Sequence, residues 1–383
     1  MQFELATAAR IVFQPGAVAD LPAIAREFGT RALLVTGRNT ARAAPLIAGL
    51  QHAGIESAVF AVDSEPTLDL VRNGVQRARE GCDLVIGFGG GSAIDAGKAI
   101  AALTTNSGEP LDHLEIIGRA RALERTPLPF IAVPTTAGTG AEVTRNAVLS
   151  SPEHGVKASL RSALMLPKLA LIDPDLTLDL PPTITASTGL DALTQLVEPY
   201  VSSRANAFTD LFCIEGMKRV RACLVSAYTN AHDRNARESM SFASLLGGLA
   251  LANAALGVVH AFAAPLGAML NAPHGALCAA VLPHGMAINI QALRDRAPEH
   301  VGLRKYRDIA RILTGDAAAE PEDAADWVTA LCKQLSIRPL RAHGFDHRQL
   351  PVLVEKAAKA NSMKGNPILL THHELTDIAE RAL

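Results

Sequence analysis

Short apolar runs that end in turn residues punctuate the first 180 positions. RALLVTG (31–37), SAVFAV (57–62), DLVIGFGG (83–90) and PFIAVPTT (129–136) each have the length of a strand buried on both faces. Between the first three lie amphipathic helical patterns, TARAAPLIAGLQHAG and LDLVRNGVQRAREG. ELATAARIVFQPGAV adds a strand and a turn before the alternation begins. Strands separated by helices predict a mostly parallel α/β sheet. From LPPTITAST (180–188) onward the strand-like runs stop, and long Ala- and Leu-rich helical patterns broken by Gly and Pro continue to the end. Two domains are therefore expected, an α/β domain over 1–180 and a helical domain over 181–383.

One stretch of the second half stands apart. Between Glu238 and Arg294 there is no Asp, Glu, Lys or Arg. A membrane span needs about 20 apolar residues, so length alone permits one. Asn253, His260, Asn271, His274 and His284 interrupt the segment, as do Pro265, Pro273 and Pro283, and no Trp or Tyr belt flanks it. The pattern fits buried helices around a polar site, with no membrane span expected.

Composition narrows the classes. The 383 residues are 49% hydrophobic and 19% charged, which predicts large cores rather than disorder. A net charge of -2 and 4% aromatics leave neither a basic footprint nor stacking rings, so no nucleic-acid partner is expected. Five cysteines without a CxxC pair read as reduced thiols. MQFELATAAR lacks the charged-then-apolar order of a signal peptide, so a cytoplasmic location is expected.

Candidate chemistry begins at DLVIGFGGGSAIDAGKAIAAL. A buried strand runs into Gly89, Gly90 and Gly91, then Ser92 opens a helix with Asp95 in its first turn. Glycines there let a phosphate approach free N–H groups at the positive end of the helix dipole. The spacing matches neither GxGxxG nor GxxxxGK[ST], and a tight turn with Ser92 as N-cap is the plain structural alternative. PTTAGTGAEVT (134–144) is a second polar loop after a buried strand, able to place Thr135, Thr136 and Thr139 around a cofactor. At the end of the first strand stand Gly37, Arg38 and Asn39, where dinucleotide folds usually carry an acidic residue for the ribose. Arg38 tilts the cofactor from NAD towards NADP.

In the second half, GLDALTQLVEPYV (189–201) puts Asp191 and Gln195 one helical turn apart on one face. His260 and His274 sit in the uncharged stretch. Pro273 fits the first turn of a helix, whose dipole would keep the His274 imidazole neutral. Two histidines and one carboxylate suit Fe(II) or Zn(II).

Together and in this order, GGGSAIDAGKAIA, PTTAGTGAEVT, TLDLPPTITASTGLDALTQLVEPYVS and GVVHAFAAPLGAMLNAPHGALCAAVLPH resemble the iron-containing (group III) alcohol dehydrogenases. The resemblance spans essentially the whole chain. It implies the fold shared with glycerol dehydrogenase and dehydroquinate synthase, an α/β dinucleotide-binding domain followed by an all-α metal- and substrate-binding domain. By position, it implies that Gly89, Gly90, Gly91 and Ser92 hold the cofactor diphosphate, and that Asp95, Thr135, Thr136 and Thr139 line the cofactor site. Asp191, His260 and His274 fall on three of four metal positions and on the catalytic centre; Gln195 falls on the fourth, and His284 on none. Two residues depart from the family pattern. Gln195 replaces a histidine, and Ala264 stands where many members carry another, one turn after His260. A neutral amide oxygen binds transition metals less tightly than an imidazole, so a weakly held divalent ion, Fe(II) or Zn(II), is expected.

The resemblance further implies hydride exchange between an alcohol and NAD or NADP, giving an aldehyde or ketone, in a homodimer or larger homo-oligomer. Two other readings stay open at the level of sequence. SMKGNPILLT (362–371) looks like a segment of the maleylacetate reductases, relatives that reduce a carbon–carbon double bond. A lyase of the dehydroquinate synthase kind shares the fold, although the charge-free segment offers a phosphorylated substrate no basic residue.

Overall fold

The apolar runs RALLVTG, DLVIGFGG and PFIAVPTT pair side by side, presenting alternate residues to two opposite cores, while SAVFAV forms a half-exposed edge strand, not the strand buried on both faces that its pattern predicts. The structure, a computed structural model, describes residues 3–270 and 272–383, so Asn271 of the uncharged stretch lies outside the described residues. The strands are β1 (Ile11–Phe13), β2 (Arg31–Gly37), β3 (Glu56–Val62), β4 (Leu84–Gly89), β5 (Phe130–Pro134), β6 (Asn146–Ser151), β7 (Val156–Arg161) and β8 (Leu169–Ile172). Six of them form a sheet in the order β1-β8-β5-β4-β2-β3, and every neighbouring pair is parallel. Leu34, Ile86, Ile131 and Val133 point into one core, which also takes Leu21, Leu46 and Leu50 from helices α1 (Leu21–Ala25) and α2 (Ala44–His52). Leu33, Val35, Val85 and Ala132 point into the other, with Val71, Val75, Ile94 and Ile100 from α3 (Leu68–Arg79) and α4 (Gly91–Thr105).

Three strands escape the sequence pattern. β6 and β7 form an antiparallel hairpin whose turn places Gly155 at φ 61°, and β8 is a four-residue run between Pro167 and Asp173. These runs are short or half-buried, with too little apolar periodicity to distinguish them from loop.

The remaining chain is helical: α5 (Pro182–Val201), α6 (Ala207–Thr229), α7 (Arg234–Ala254), α8 (Val258–Leu270), α9 (His274–Arg296), α10 (Val301–Thr314), α11 (Pro321–Gln334), α12 (Leu350–Lys359) and α13 (His372–Arg381). By its contacts the chain divides into two compact units. One is Ala6–Thr136 with Gly140–Leu178; the other is Asp179–Leu383 with Ala137–Thr139 and the described residues up to Leu5. The expectation that prolines break the helices fails at Pro199, Pro265 and Pro283, which lie inside α5, α8 and α9. Helix α9 is long and apolar enough to cross a membrane, but 78% of its apolar window is buried inside the protein. Its residues Leu277, Val281, Leu282 and Ile290 join the core of the helical unit.

Candidate active site

Three helices of the second unit bring four potential metal donors together. Asp191 comes from the middle of α5, His260 from the first turn of α8, and His274 and Cys278 from the first turns of α9. One donor atom from each residue lies within 4.8 Å of all the others. Asp191 Oδ1 is 3.7 Å from His260 Nε2 and 3.8 Å from His274 Nε2. Cys278 Sγ is 3.5 Å from His274 Nε2. Gly275 permits this approach: a Cβ there would lie 2.5 Å from the Ser187 carbonyl oxygen and 3.3 Å from Asp191 Cβ. Any larger residue would push the start of α9, and His274 with it, away from α5.

A second tier of contacts orients these donors. Glu198, two turns after Asp191 on α5, accepts the Nδ1 proton of His260 at 2.7 Å and the Val259 N–H at 2.6 Å. The carboxylate fixes the tautomer, so Nε2 of His260 is the free lone pair, a common arrangement around protein-bound metals. Asn366 Oδ1 accepts the Val258 N–H at 3.1 Å and an amide proton of Asn289 at 3.0 Å. Glu198 and Asn366 thus satisfy consecutive N–H groups at the start of α8, where the helix itself offers no partners. Asn366 belongs to the SMKGNPILLT segment, so its asparagine has a structural task here.

Asp191 Oδ1 and Gln195 Oε1 are buried side-chain oxygens with no hydrogen-bond partner. An orphaned buried carboxylate oxygen is costly unless something positive faces it. Burial works against a charged His260, yet the adjacent Cys278, Asp191 and Glu198 outweigh it and hold the imidazole well above its ordinary pKa. Burial likewise opposes a charged His274, but Cys278 and Asp191 raise its pKa in the metal-free chain. Pro273 is the N-cap and His274 the first helical residue, so the nearby acidic groups act at closer range than the dipole. Burial pushes the Asp191 pKa up, and its closeness to His260 and His274 more than reverses this. Protons here occupy a place that suits a cation, and the two compete. The donor set, the fixed tautomer and the unpaired Oδ1 all fit a divalent metal.

The other unit gathers the predicted dinucleotide residues at the C-terminal ends of its strands. The chain steps from β2 out to β3 and back across to β4, so the order reverses between β2 and β4, where open α/β sheets bind ligands. Gly37 ends β2 and Arg38 and Asn39 follow it, Gly89 ends β4, and Thr135 and Thr136 follow β5. Thr135 donates its N–H to the Gly89 carbonyl at 2.9 Å. Arg38 donates to the Asp63 carbonyl at 3.1 Å, beyond the end of β3. Thr139 falls in the Ala137–Thr139 segment, which clusters with the helical unit.

Two details of this loop differ from expectation. Gly90, not Ser92, is the N-cap, Gly91 is the first helical residue, and no side chain caps the helix. Its first N–H groups therefore remain available to an anion, as a diphosphate requires. Asp95 lies in the second turn, where its carboxylate pairs with Lys98 at 3.1 Å and accepts the Val148 N–H at 3.0 Å. Gly89 is dictated by packing, since a Cβ there would sit 2.7 Å from Ala93 Cβ and 3.2 Å from Gly37 N.

Cys278 and Glu198 were not singled out from sequence. Both carried a signal: His274 and Cys278 repeat the one-turn spacing of Asp191 and Gln195, and Glu198 extends the Asp191 face by two turns.

Comparison with known proteins shows the family to which the chain belongs. The sequence profile described as iron-containing alcohol dehydrogenase matches residues 8–174, and that of the Fe-containing alcohol dehydrogenase family, C-terminal, matches residues 185–383. Alcohol dehydrogenase 4 of Schizosaccharomyces pombe is 37% identical over 84% of this chain and 74% of its own length. The 1,3-propanediol dehydrogenase of Klebsiella pneumoniae is 36% identical over 87% of this chain and 85% of its own. A crystal structure of a 1,3-propanediol oxidoreductase superposes with a TM-score of 0.92 at 34% identity, covering 100% of both chains. With both halves matched in sequence and in fold, the chain belongs to the iron-containing alcohol dehydrogenase family.

Proposed function

We propose that this protein interconverts an alcohol and an aldehyde or ketone by metal-assisted hydride transfer with a nicotinamide dinucleotide. The observation that carries the reading is the cluster of buried Asp191 and His260 with half-buried His274, with Asp191 Oδ1 left unpaired. Asp191, His260 and His274 would hold the divalent ion, Fe(II) or Zn(II), with Gln195 at the fourth family position. When bound, such an ion supplies Lewis acidity towards the substrate oxygen. Glu198 keeps the Nδ1 proton of His260 in place and so presents Nε2.

In this reading, residues 1–180 take the cofactor and residues 181–383 take metal and substrate. The N–H groups at Gly89, Gly90, Gly91 and Ser92 bind the diphosphate, supported by the uncapped start of α4. Gly37, Arg38 and Asn39 receive the adenosine ribose, and the Arg38 guanidinium favours a 2′-phosphate and hence NADP over NAD. Thr135, Thr136 and Thr139 contribute hydroxyls. Asp95 acts through Lys98 and the Val148 N–H, steadying α4 against β6. With Ala264 one turn after His260 no imidazole stands there to pass a proton, so the substrate proton leaves through water or the cofactor ribose hydroxyls. The five free cysteines support a reducing, cytoplasmic setting, and the resemblance supports a homodimer or larger homo-oligomer.

The test is oxidation of NADH and NADPH with a panel of short aldehydes and ketones, compared with maleylacetate, after metal analysis of protein purified without chelator. Reduction of the carbonyl panel supports the reading. Turnover of maleylacetate alone would replace it with carbon–carbon double-bond reduction, and turnover without net nicotinamide oxidation would replace it with a lyase.

A further inference from the structure

We propose that Cys278 is the fourth protein donor to the cation, taking over the part that a histidine at position 195 plays in the family pattern. The inference rests on the reading that this site holds a divalent ion, and it adds a thiolate that the family pattern does not supply. A free buried cysteine ordinarily acts as a small apolar side chain. Cys278 is fully buried, yet its sulfur lies against polar atoms, 3.5 Å from His274 Nε2 and within 4.8 Å of donors on Asp191 and His260.

Three of the separations within the cluster match those of ligands around one ion. Bonds of about 2.0–2.3 Å in a tetrahedral site put neighbouring donors about 3.3–3.8 Å apart. The separations of 3.5, 3.7 and 3.8 Å among Cys278, His274, His260 and Asp191 fall in that range. Two of them are too long for hydrogen bonds, and Asp191 Oδ1 accordingly has no partner.

Gln195 is the weaker donor of the two, because its amide can offer only a neutral oxygen. A Cys278 thiolate and the Asp191 carboxylate together neutralise a dication, and thiolate with imidazole favours Zn(II) or Co(II) over harder-ligand ions. The altered site therefore holds its metal firmly, against the expectation of a weak one drawn from Gln195 alone.

The experiment loads metal-free protein with Co(II) and records its absorption spectrum. A thiolate donor produces a sulfur-to-cobalt charge-transfer band in the near ultraviolet. We expect the band in the wild type and in Gln195→Ala, and its loss in Cys278→Ser, with Co(II) affinity lowered about 10–100-fold or more, since even outer-shell changes have that effect. X-ray absorption of the zinc-loaded wild type, which needs no variant, should show one sulfur at about 2.3 Å. Stoichiometric Co(II) or Zn(II) without a sulfur signature overturns the assignment of Cys278 and leaves the oxidoreductase reading intact, as does a band that survives in Cys278→Ser. Failure of the wild type to bind either ion overturns both.

Discussion

Glu198 grips His260 and the residue before it with one carboxylate, Oε2 taking the ring Nδ1 proton at 2.7 Å and Oε1 the Val259 N–H at 2.6 Å. The imidazole and the helix that carries it are thereby oriented by the same group. Replacing Glu198 with Gln leaves one oxygen for two donors and sets an amide N–H against the other. Metal affinity should fall about 10–100-fold, measured by competition with a chelator. Unchanged affinity in a folded Glu198→Gln protein would show that the contact does not orient the ring.

Gly89 and Gly90 should separate packing from ligand binding. A Cβ on Gly89 meets Ala93 at 2.7 Å, whereas one on Gly90 meets only Thr136 at 3.5 Å, at an ordinary extended backbone. Gly89→Ala should destabilise the protein by about 1–3 kcal/mol in denaturant titration. Gly90→Ala should keep its stability and lose dinucleotide affinity in calorimetry, because the added methyl crowds the diphosphate. Equal affinity in Gly90→Ala and wild type would place the diphosphate elsewhere.

Glu142 gives the stability a pH dependence. Burial pushes its carboxyl up to about 7 from the ordinary 4.5, against the opposing pull of its own backbone N–H and of Lys98. The folded chain then holds this proton more tightly than the unfolded chain does. Its contribution is complete below pH 4.5 and is lost as the pH rises through about 7. The difference is up to about 3 kcal/mol. In Glu142→Gln that decline should disappear, so that the variant gains on the wild type between pH 5 and pH 8. Parallel stability curves for the two proteins would be evidence that Glu142 is ionised at both values.

Gln195 Oε1 is buried and unpartnered, which costs about 1–3 kcal/mol in a metal-free protein. Gln195→Met, similar in length and without the amide, should raise the unfolding free energy of the metal-free chain by an amount of that order. A lower melting temperature in that variant would mean that the amide has a partner in solution.

Much of the architecture is legible in the chain. The strands β2, β4 and β5 lie within two residues of their apolar runs, because a strand buried on both faces leaves an unbroken signature; β3 also matches its run, but it is the edge strand and is half-exposed, against the expectation of burial on both faces. β8 contributes only LALI, and the β6–β7 hairpin is half-buried, so neither has the periodicity to announce itself. At the start of α4, serine's preference for the cap position points to Ser92, but Gly90 holds that position and the helix starts at Gly91.

Residue chemistry suggests Asp191, His260 and His274 as a ligand set, but only the resemblance implies that they meet, since no local pattern relates residues on three helices. Cys278 went unread for a different reason. The five cysteines were weighed against one another, whereas the informative comparison was with His274 one turn earlier. Asp95, a conspicuous acid beside a glycine loop, is tied to Lys98 and a backbone N–H, contacts that only the folded chain reveals.

The bond from Asn366 to the Val258 N–H joins residues 108 apart in the chain. During synthesis, the helix bearing His260 emerges long before the side chain that completes its first turn. Until Asn366 arrives, Val258 must find its partner in water, and the bracing of His260 is incomplete. The centre is thus finished last, by a stretch that supplies none of the four clustered donors, and a chain cut short before that asparagine would retain the donors while lacking the brace that steadies them.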